Sequence, residues 1–596
     1  AGSQRRDFSG FEGLVRLRPD VTLAQAQQVV DDIGRRLAVE YAVTNEGRGF
    51  RLARLHDEVV GRMRQPLLLG GLAALLTLAI ALANLVTLAT VRLSERQAEL
   101  AVRHALGAGI LRVRRQLLTE YTVLVVFGTV VGVGLARWLV AQLLASPAAH
   151  LPRPDAIRFD APVAAAVASV GLLFVLVLTL LPLHTEGLQN AIRKASRVGG
   201  GNLRLRRAMI ATQVSLALTL SSGGALLGLG LYRLSALNPG FTTEGVSVAR
   251  ASAYATAYSE RADVERFVTR VLDELGRLPE VQVAAAGSSV PLSGQASTTS
   301  IMAEGQPLPP AARPSAGWEF VTPGYFESLG IAVRRGRAFS ASDRSRATHV
   351  TIVNEALARS LFPNQNALGK RIAVGGGDSE EDWHEIVGVV DDVRHYDLAR
   401  PPQPRVYDLF GQHWGRTLYL VTRAAPGRPP LLATSLRRAV ASVDSQAPVF
   451  EATTLGDLVR RSSAPHRLTT AVASGLAFTG LLLALAGVYA MTASAATQRR
   501  REMGVRIALG ASPDTVFWLM VRESTATVAV GGAAGVAGAV GAAQLLQSYA
   551  FGVGGADVAL VVPIVACLLI GAGVAAAVPP ARTAAAASPL EAMRTD

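Results

Sequence analysis

The sequence predicts a polytopic α-helical membrane protein with an α/β extramembrane domain, and three observations lead there. Uncharged runs occupy 65–91, 161–185, 208–232, 468–498, 524–556 and 558–581, and a further run, 121–136, stops at Arg137. Each of the first six can supply about 20 residues, enough to cross a roughly 30 Å hydrocarbon core, and the last resumes beyond Arg137 through to Pro152. A backbone in lipid must satisfy its own hydrogen bonds, so seven spanning helices follow. The second observation is that Lys and Arg gather beside the ends of these runs, the pattern that sets orientation in a bilayer. The third is a repeat: ERQAELAVRHALGAG, Glu95 to Gly109, and QRRREMGVRIALGAS, Gln498 to Ser512. An offset of 403 residues superimposes Glu99 on Glu502, Arg103 on Arg506, Gly107 on Gly510 and, further on, Glu120 on Glu523. An ungapped match held that far points to an internally duplicated membrane segment.

Average composition is less telling than its distribution. A mean hydropathy of +0.31 with 17% charged residues suits a large soluble protein as well, but long apolar runs repeated along a chain do not. The net charge of +14 sits at the ends of apolar runs, which argues against a nucleic-acid partner. Cys567, the single cysteine, lies in the last run, which excludes an intrachain disulfide and a cysteine-based metal cluster. Abundant Gly and Ala favour close helix packing in lipid.

Residues 1–64 read as the end of an extramembrane domain, the sequence beginning inside it without a signal-peptide pattern. Thr22 can cap a helix whose apolar face is Ala24, Val29, Ile33 and Leu37. The membrane part 65–185 holds spans at about 68–90, 118–143 and 162–183, and 208–236 holds another at about 208–231. Connections 92–115 and 186–207 carry six Lys or Arg each, whereas link 146–160 carries two, offset by Asp155 and Asp160. The two connections are therefore cytoplasmic, and the link, residues 1–64 and the insertion 237–462 are external.

That insertion reads as α/β, in two subdomains. EGVSVARASA, VQVAAAGSSVPL, THVTIVNEAL, HEIVGVVDDV and RTLYLVTRAA have strand character. SERADVERFVTRVLDELGRL predicts a helix burying Phe267, Val271 and Leu275, and GRPPLLATSLRRAVASVD another, entered through Pro429 and Pro430. Stretches 291–318 and 374–382 read as loops. The block 463–583 holds spans at about 468–491, 524–546 and 558–580 around the basic segment 496–522, and 584–596 is a cytoplasmic tail.

In each copy of the repeat the acid and the arginine are four apart, so they share a helix face and form a weak ion pair. The glycine after them permits a tight end. Two readings stay open for such a helix at the cytoplasmic surface: an anchor on the headgroups, or a lever that a soluble partner pushes.

The segment resembles the MacB-like and FtsX-like permeases of the type VII ABC transporter class. Their pattern, roughly R-x-x-E-x-x-x-R-x-A-x-G-A, is matched by Arg96, Glu99, Arg103, Ala105, Gly107 and Ala108, and again by Arg499, Glu502, Arg506, Ala508, Gly510 and Ala511. Phe320–Asp343, Val350–Ile372 and Glu385–Tyr407 are similar to the MacB-type periplasmic core, and Pro579–Asp596 to the family's cytoplasmic ending. The resemblance implies duplicated four-helix permease units in one chain, the first incomplete and lacking an upstream span and most of its periplasmic domain. It implies that Arg96, Glu99, Arg103, Gly107, Arg499, Glu502, Arg506 and Gly510 couple the permease to a cytoplasmic ABC ATPase. It implies a bacterial inner-membrane protein with a large periplasmic domain, working with a periplasmic adaptor and outer-membrane channel, or with a cell-wall hydrolase. An uncoupled sensor or scaffold is the remaining reading.

No catalytic, cofactor-binding or metal-ligating residue is assigned to this chain; ATP and Mg2+ belong to the partner ATPase. The string FPNQNALGKR has Asn364 where a phosphate loop needs its first glycine and Arg371 where it needs Ser or Thr. His395, Asp397, Asp391 and Asp392 suggest acid–base or metal chemistry, but no paired ligand set accompanies them. Arg137 and Glu120 read as charges near the ends of spans.

Overall fold

The computed structural model describes residues 13–41, 49–96, 110–145, 157–185, 203–253, 258–294, 297–306, 308–309, 312–345, 349–375, 383–413, 415–498, 503, 506–509 and 511–585. The chain divides into two compact units, one of Ala1–Glu58 and Ala236–Ser463, the other of Val59–Ser235 and Ala464–Asp596.

The first unit opens with α1 (Leu23–Glu40). Thr22 Oγ1 accepts from Gln25 N at 3.3 Å while the Gln25 side chain accepts from Thr22 N at 2.9 Å, a reciprocal cap. The expected apolar face is not the one that packs. Val29 and Ile33 stay exposed, while Ala26 and Gly34 are buried. The returning chain decides this: a Cβ on Gly34 would stand 3.7 Å from Phe50, and Gln27 bonds Phe50 O and Leu52 N at 2.8 and 2.7 Å.

Four long helices follow: α2 (Leu55–Glu95), α3 (Ile110–Ala145), α4 (Ala161–Thr185) and α5 (Leu203–Ala236). Then comes the α/β core: β1 (Val246–Ser252), α6 (Arg261–Gly276), β2 (Val281–Gly287), β3 (Ser297–Ala303), β4 (Ser315–Val321), α7 (Tyr325–Leu329), β5 (Val333–Gly336), β6 (His349–Asn354), α8 (Glu355–Leu361), β7 (Arg371–Val374), β8 (Trp383–Val390), β9 (Arg405–Leu409), β10 (Thr417–Ala424), α9 (Ala433–Val443) and β11 (Val449–Thr454). Three more long helices close the chain: α10 (Leu455–Gln498), α11 (Pro513–Leu546) and α12 (Gly555–Ala585).

The core has two parts. Strands β11–β1–β10–β2 form an antiparallel sheet. α6 and α9 cover one face of it, with Phe267, Val271, Leu275, Leu436 and Val440 packed on Ala249, Ala251, Leu418 and Leu420. The second part is a ring. The strands run β4–β3–β7–β8–β6–β9, and β9 pairs in parallel with β4, so six strands close on themselves. Ile301, Ala316, Val353, Ile372, Ile386 and Val406 fill it, and α8 adds Leu357 and Leu361 at the end reached by β6. A third cluster, with Val248, Val421, Phe326, Leu329, Ile352 and Tyr407, joins the sheet to the outer face of the ring.

The five strand-like segments and both helices are present, although α9 starts at Ala433, beyond the two prolines. The expectation that 291–318 is a loop is wrong, because β3 and the start of β4 lie in it. β3 is rich in Ser and Thr, a composition that also suits a turn. Its ladders to β4 and β7 supply what local sequence does not advertise, and Thr299, Ile301 and Ala303 alternate inward. Of the other expected loop, 376–382 lies outside the described residues.

Among the described residues, seven helices are long and apolar enough to cross a membrane, α2 to α5 and α10 to α12. They extend beyond the apolar runs, and terminal Arg side chains meet acidic partners there: Arg207 pairs with Glu523 at 3.1 Å and Arg233 with Asp557 at 2.6 Å. Ile80, Val214, Leu218, Ala484, Val488, Val528 and Leu569 bring α2, α5, α10, α11 and α12 into one core. Val86, Ala89, Leu117, Tyr121 and Leu178 join α2, α3 and α4. α11 presses on α5 through glycines: a Cβ on Gly531 would lie 2.5 Å from Ala211 O, and one on Gly535 2.9 Å from Leu218 Cβ.

Candidate functional site

Of the eight residues expected to couple the permease to an ATPase, Arg96 and Arg506 lie among the described residues. Arg96 follows the last residue of α2 and is exposed. Its Nη1 donates to Glu120 on α3 at 3.0 and 3.3 Å. Gln116, one turn earlier on α3, donates to the same carboxylate at 3.1 Å. Arg96 therefore links the start of the repeat to the following span. Glu99, Arg103 and Gly107 lie outside the described residues.

In the second copy Arg499, Glu502 and Gly510 likewise lie outside the described residues. Met503 is buried, whereas Arg506 is exposed and Leu509 is 82% exposed. Ala511 N donates to Arg506 O at 2.9 Å, which closes this short helical stretch. Ser512 then caps α11, its Oγ accepting from Thr515 N at 3.3 Å, with Pro513 as first helical residue. Below it, Ala496, Met520, Val521 and Ala581 pack α10, α11 and α12 together. Glu523, the counterpart of Glu120, accepts from Arg207 of α5 at 3.1 Å.

Sequence reasoning aligned Glu120 with Glu523 but assigned neither a partner. The signal available was the aligned acid itself, kept at the same offset at the start of the apolar run in both helices. Arg137 lies on α3 and is exposed.

The acid–base candidates of the core do not converge. Asp391 pairs with Arg334. Asp392 accepts from Asn354 Nδ2 and Ala356 N at 2.8 Å each and pairs with Arg359 at 2.5 Å. Asp397 caps Ala399 N at 2.9 Å. His395 belongs to a buried network instead: Nε2 lies 3.1 Å from Glu319 Oε1 and 3.2 Å from Ser289 Oγ. Arg405 Nη1 donates to the same Glu319 oxygen at 2.5 Å, and Tyr325 Oη reaches Ser289 O at 2.9 Å. Burial pushes the Glu319 carboxyl up from its usual range, and Arg405 opposes that shift. Glu319, Arg405, His395 and Tyr325 are all buried, which makes this network a structural node of the core. The phosphate-loop lookalike runs from the end of α8 to β7, with Asn364 and Gly369 at positive φ. It leads from helix into strand, the reverse of a phosphate-binding turn.

Comparison with known proteins agrees with this architecture. The family model of the FtsX-like permease C-terminal domain matches 71–184 and 474–589, and that of the MacB-like periplasmic core domain matches 220–459. Over 279 residues, 45% of this chain, the sequence is 25% identical to the macrolide export ATP-binding/permease protein MacB of Chromobacterium violaceum, covering 42% of that protein. It is 23% identical over 235 residues to the uncharacterized ABC transporter permease YvrN of Bacillus subtilis, covering 37% of this chain and 56% of the relative. The alignments thus span only part of these relatives' lengths. Among solved structures, the periplasmic region of MacB from Actinobacillus actinomycetemcomitans is 14% identical, covering 37% of this chain and 92% of that one, with a TM-score of 0.25. With both domain types present and seven helices fit to cross a bilayer, the chain belongs to the FtsX-like, MacB-like family of ABC transporter permeases, as a multi-pass inner-membrane protein with a large periplasmic domain.

Proposed function

We propose that this chain is a permease subunit of an ABC-type export or extrusion system, driven by a separate cytoplasmic ATPase that supplies ATP and Mg2+ chemistry. The observation that carries the reading is the exposed end of the second repeat. A leucine 82% exposed beside an exposed arginine, between two helices that pack with a third, suits a docking knob better than a headgroup anchor alone. Closure of an ATPase dimer would push this knob and its first-copy counterpart, moving α10 and α11. α10 contributes Ala484 and Val488 to the core of the membrane bundle, where it packs with α2, α5, α11 and α12. The duplicated-unit reading gains support from the two FtsX-like matches, which begin 403 residues apart.

The test is purification of the chain from native membranes, with mass spectrometry of bound proteins and an ATPase assay. A stoichiometric ATPase that depends on the permease is expected. Charge reversal at Glu99, Arg103, Glu502 and Arg506 should remove it while membrane insertion persists. A co-purifying adaptor and outer-membrane channel would mark export, whereas a cell-wall hydrolase would mark mechanical regulation of a periplasmic enzyme. An intact permease with no ATPase would overturn the coupled reading in favour of a sensor or scaffold.

A further inference from the structure

The geometry points to a divalent transition-metal site, of the zinc class, at the open mouth of the six-stranded ring, with Asp408, His384 and His413 as ligands and His349 beside them. Alternation along the strands places these groups. Val353, Ile386 and Val406 lie in the ring's core. His384 and Asp408 are two residues from Ile386 and Val406, and His349 four from Val353, so all three share the inward parity. They stand at the end of the ring opposite α8. His413 arrives from a tight turn after β9, in which Gly411 N donates to His413 O at 3.0 Å and His413 N to Leu409 O at 3.2 Å. Aliphatic filling thus gives way at one mouth to three of the chain's nine histidines around one carboxylate.

The distances suit a shared cation. His384 Nδ1 is 2.9 Å from Asp408 Oδ1, and His413 Nδ1 is 3.5 Å from Asp408 Oδ2. A ligand atom from each of the three lies within 4.8 Å of the others. Zinc–nitrogen and zinc–oxygen bonds near 2.0–2.2 Å put tetrahedral ligand atoms about 3.4 Å apart. Around the ligands stands an orienting group: Trp318 Nε1 donates to Asp408 Oδ2 at 2.5 Å, and its ring meets the His413 ring edge-on at 5.0 Å. The His349 ring lies 5.1 Å from that of His384 and 6.2 Å from that of His413. Two imidazoles on one carboxylate, with a third ring alongside, exceed what a single pair needs and offer nitrogen donors. His384 and Asp408 are buried, while His413 is 15% exposed and leaves an entry path. Nitrogen-rich donors with one carboxylate favour Zn2+, Co2+, Ni2+ or Cu2+ over Mg2+ or Ca2+.

The test uses the untagged full chain in detergent, stripped with a chelator, titrated with Co2+ and back-titrated with Zn2+. One Co2+ per chain is expected, with the visible bands of a four-coordinate ion, displaced by Zn2+. His413→Ala, on an edge turn, should weaken binding by at least about tenfold without altering circular dichroism. Asp408→Asn, nearly isosteric, should abolish the four-coordinate spectrum. Absence of saturable Co2+ binding by the parent would overturn the site, and so would His413→Ala and Asp408→Asn binding as the parent does. If Asp408→Asn fails to fold, His349→Ala combined with His413→Ala decides: parent-like Co2+ binding overturns the site, and loss supports it.

Discussion

Glu523 accepts a hydrogen bond from Arg207 at 3.1 Å, and its counterpart 403 residues earlier, Glu120, takes Arg96 at 3.0 Å. The same acid is thus used differently. In the first copy it holds the start of the repeat itself. In the second it holds α5, the helix that leads into the periplasmic core.

Both pairs are partly exposed, so each contributes less than about 1 kcal/mol to stability. Reversing Arg96 or Arg207 to Glu should leave the unfolding midpoint of the purified chain almost unchanged. Coupling is another matter, because the pairs join the segment or the bundle to α3 and α11. Under the proposed coupling to a separate ATPase, its permease-dependent activity should fall in Arg96→Glu and return in the swap Arg96→Glu with Glu120→Arg. A large loss of stability in the single variants would show that the pairs are structural.

Glu319 and Arg405 behave in the opposite way. Both are buried, and Gly317 makes room for them, since a Cβ there would meet Arg405 Cζ at 2.7 Å. Arg405→Met leaves a carboxylate enclosed without its main cation and should cost about 3–5 kcal/mol. Adding Glu319→Leu should recover most of that, because the enclosed charge goes as well. Chemical denaturation of the full chain, followed by the tryptophans of the periplasmic domain, reads both steps. Gly317→Ala should resemble Arg405→Met, as it displaces the guanidinium.

The spans were legible because lipid imposes a local rule: some 20 uncharged residues in a row, with basic flanks. Strands β1, β2, β6, β8 and β10 were legible from their apolar and β-branched runs. β9 was not, because Arg405 and Asp408 make it read as polar, and only the ring shows that it is buried. Closure of the ring is a pairing of β9 with β4, some 90 residues apart, which no local period records. The candidate coupling residues were drawn from the repeat, and of the eight only Arg96 and Arg506 lie among the described residues. The Glu319 network and the histidine mouth depend on strand register, so their members have no characteristic spacing.

Acid should loosen the periplasmic domain through Asp343. Its carboxylate is buried, paired with Arg337 at 2.6 Å and bonded by Ser340 N at 2.8 Å. The Arg337 hydrogen bonds hold it down at about 2, below the ordinary 3.8. A carboxyl with a lowered folded pKa stabilises fully above its unfolded value, and that contribution is lost as pH falls through the folded one. The loss therefore runs from about pH 4 to about pH 2 and amounts to about 2 kcal/mol. Asp343→Asn should be less stable at neutral pH and should flatten the acid limb in that window. An unchanged acid limb would refute the assignment.

The two copies of the repeat also differ in how their glycines are used. Gly531 and Gly535 on α11 are blocked by α5, as a Cβ on either would stand under 3.0 Å from it. The same offset leads to Gly128 and Gly132 on α3, where a Cβ would meet nothing within 4 Å. Small residues four apart let helices approach closely, so the α11 pair is a filled seat and the α3 pair an open one. Gly531→Leu must push α5 away or distort its backbone, an overpacking cost of about 1–3 kcal/mol. Gly128→Leu in the same 596-residue chain has room and improves local helix propensity, so it should be neutral or slightly stabilising. Thermal unfolding in detergent, with each variant compared with the parent, separates the two. Equal losses at both positions would mean that α3 is seated against another helix in the purified protein, and equal tolerance would mean that α5 does not pack on α11 as described.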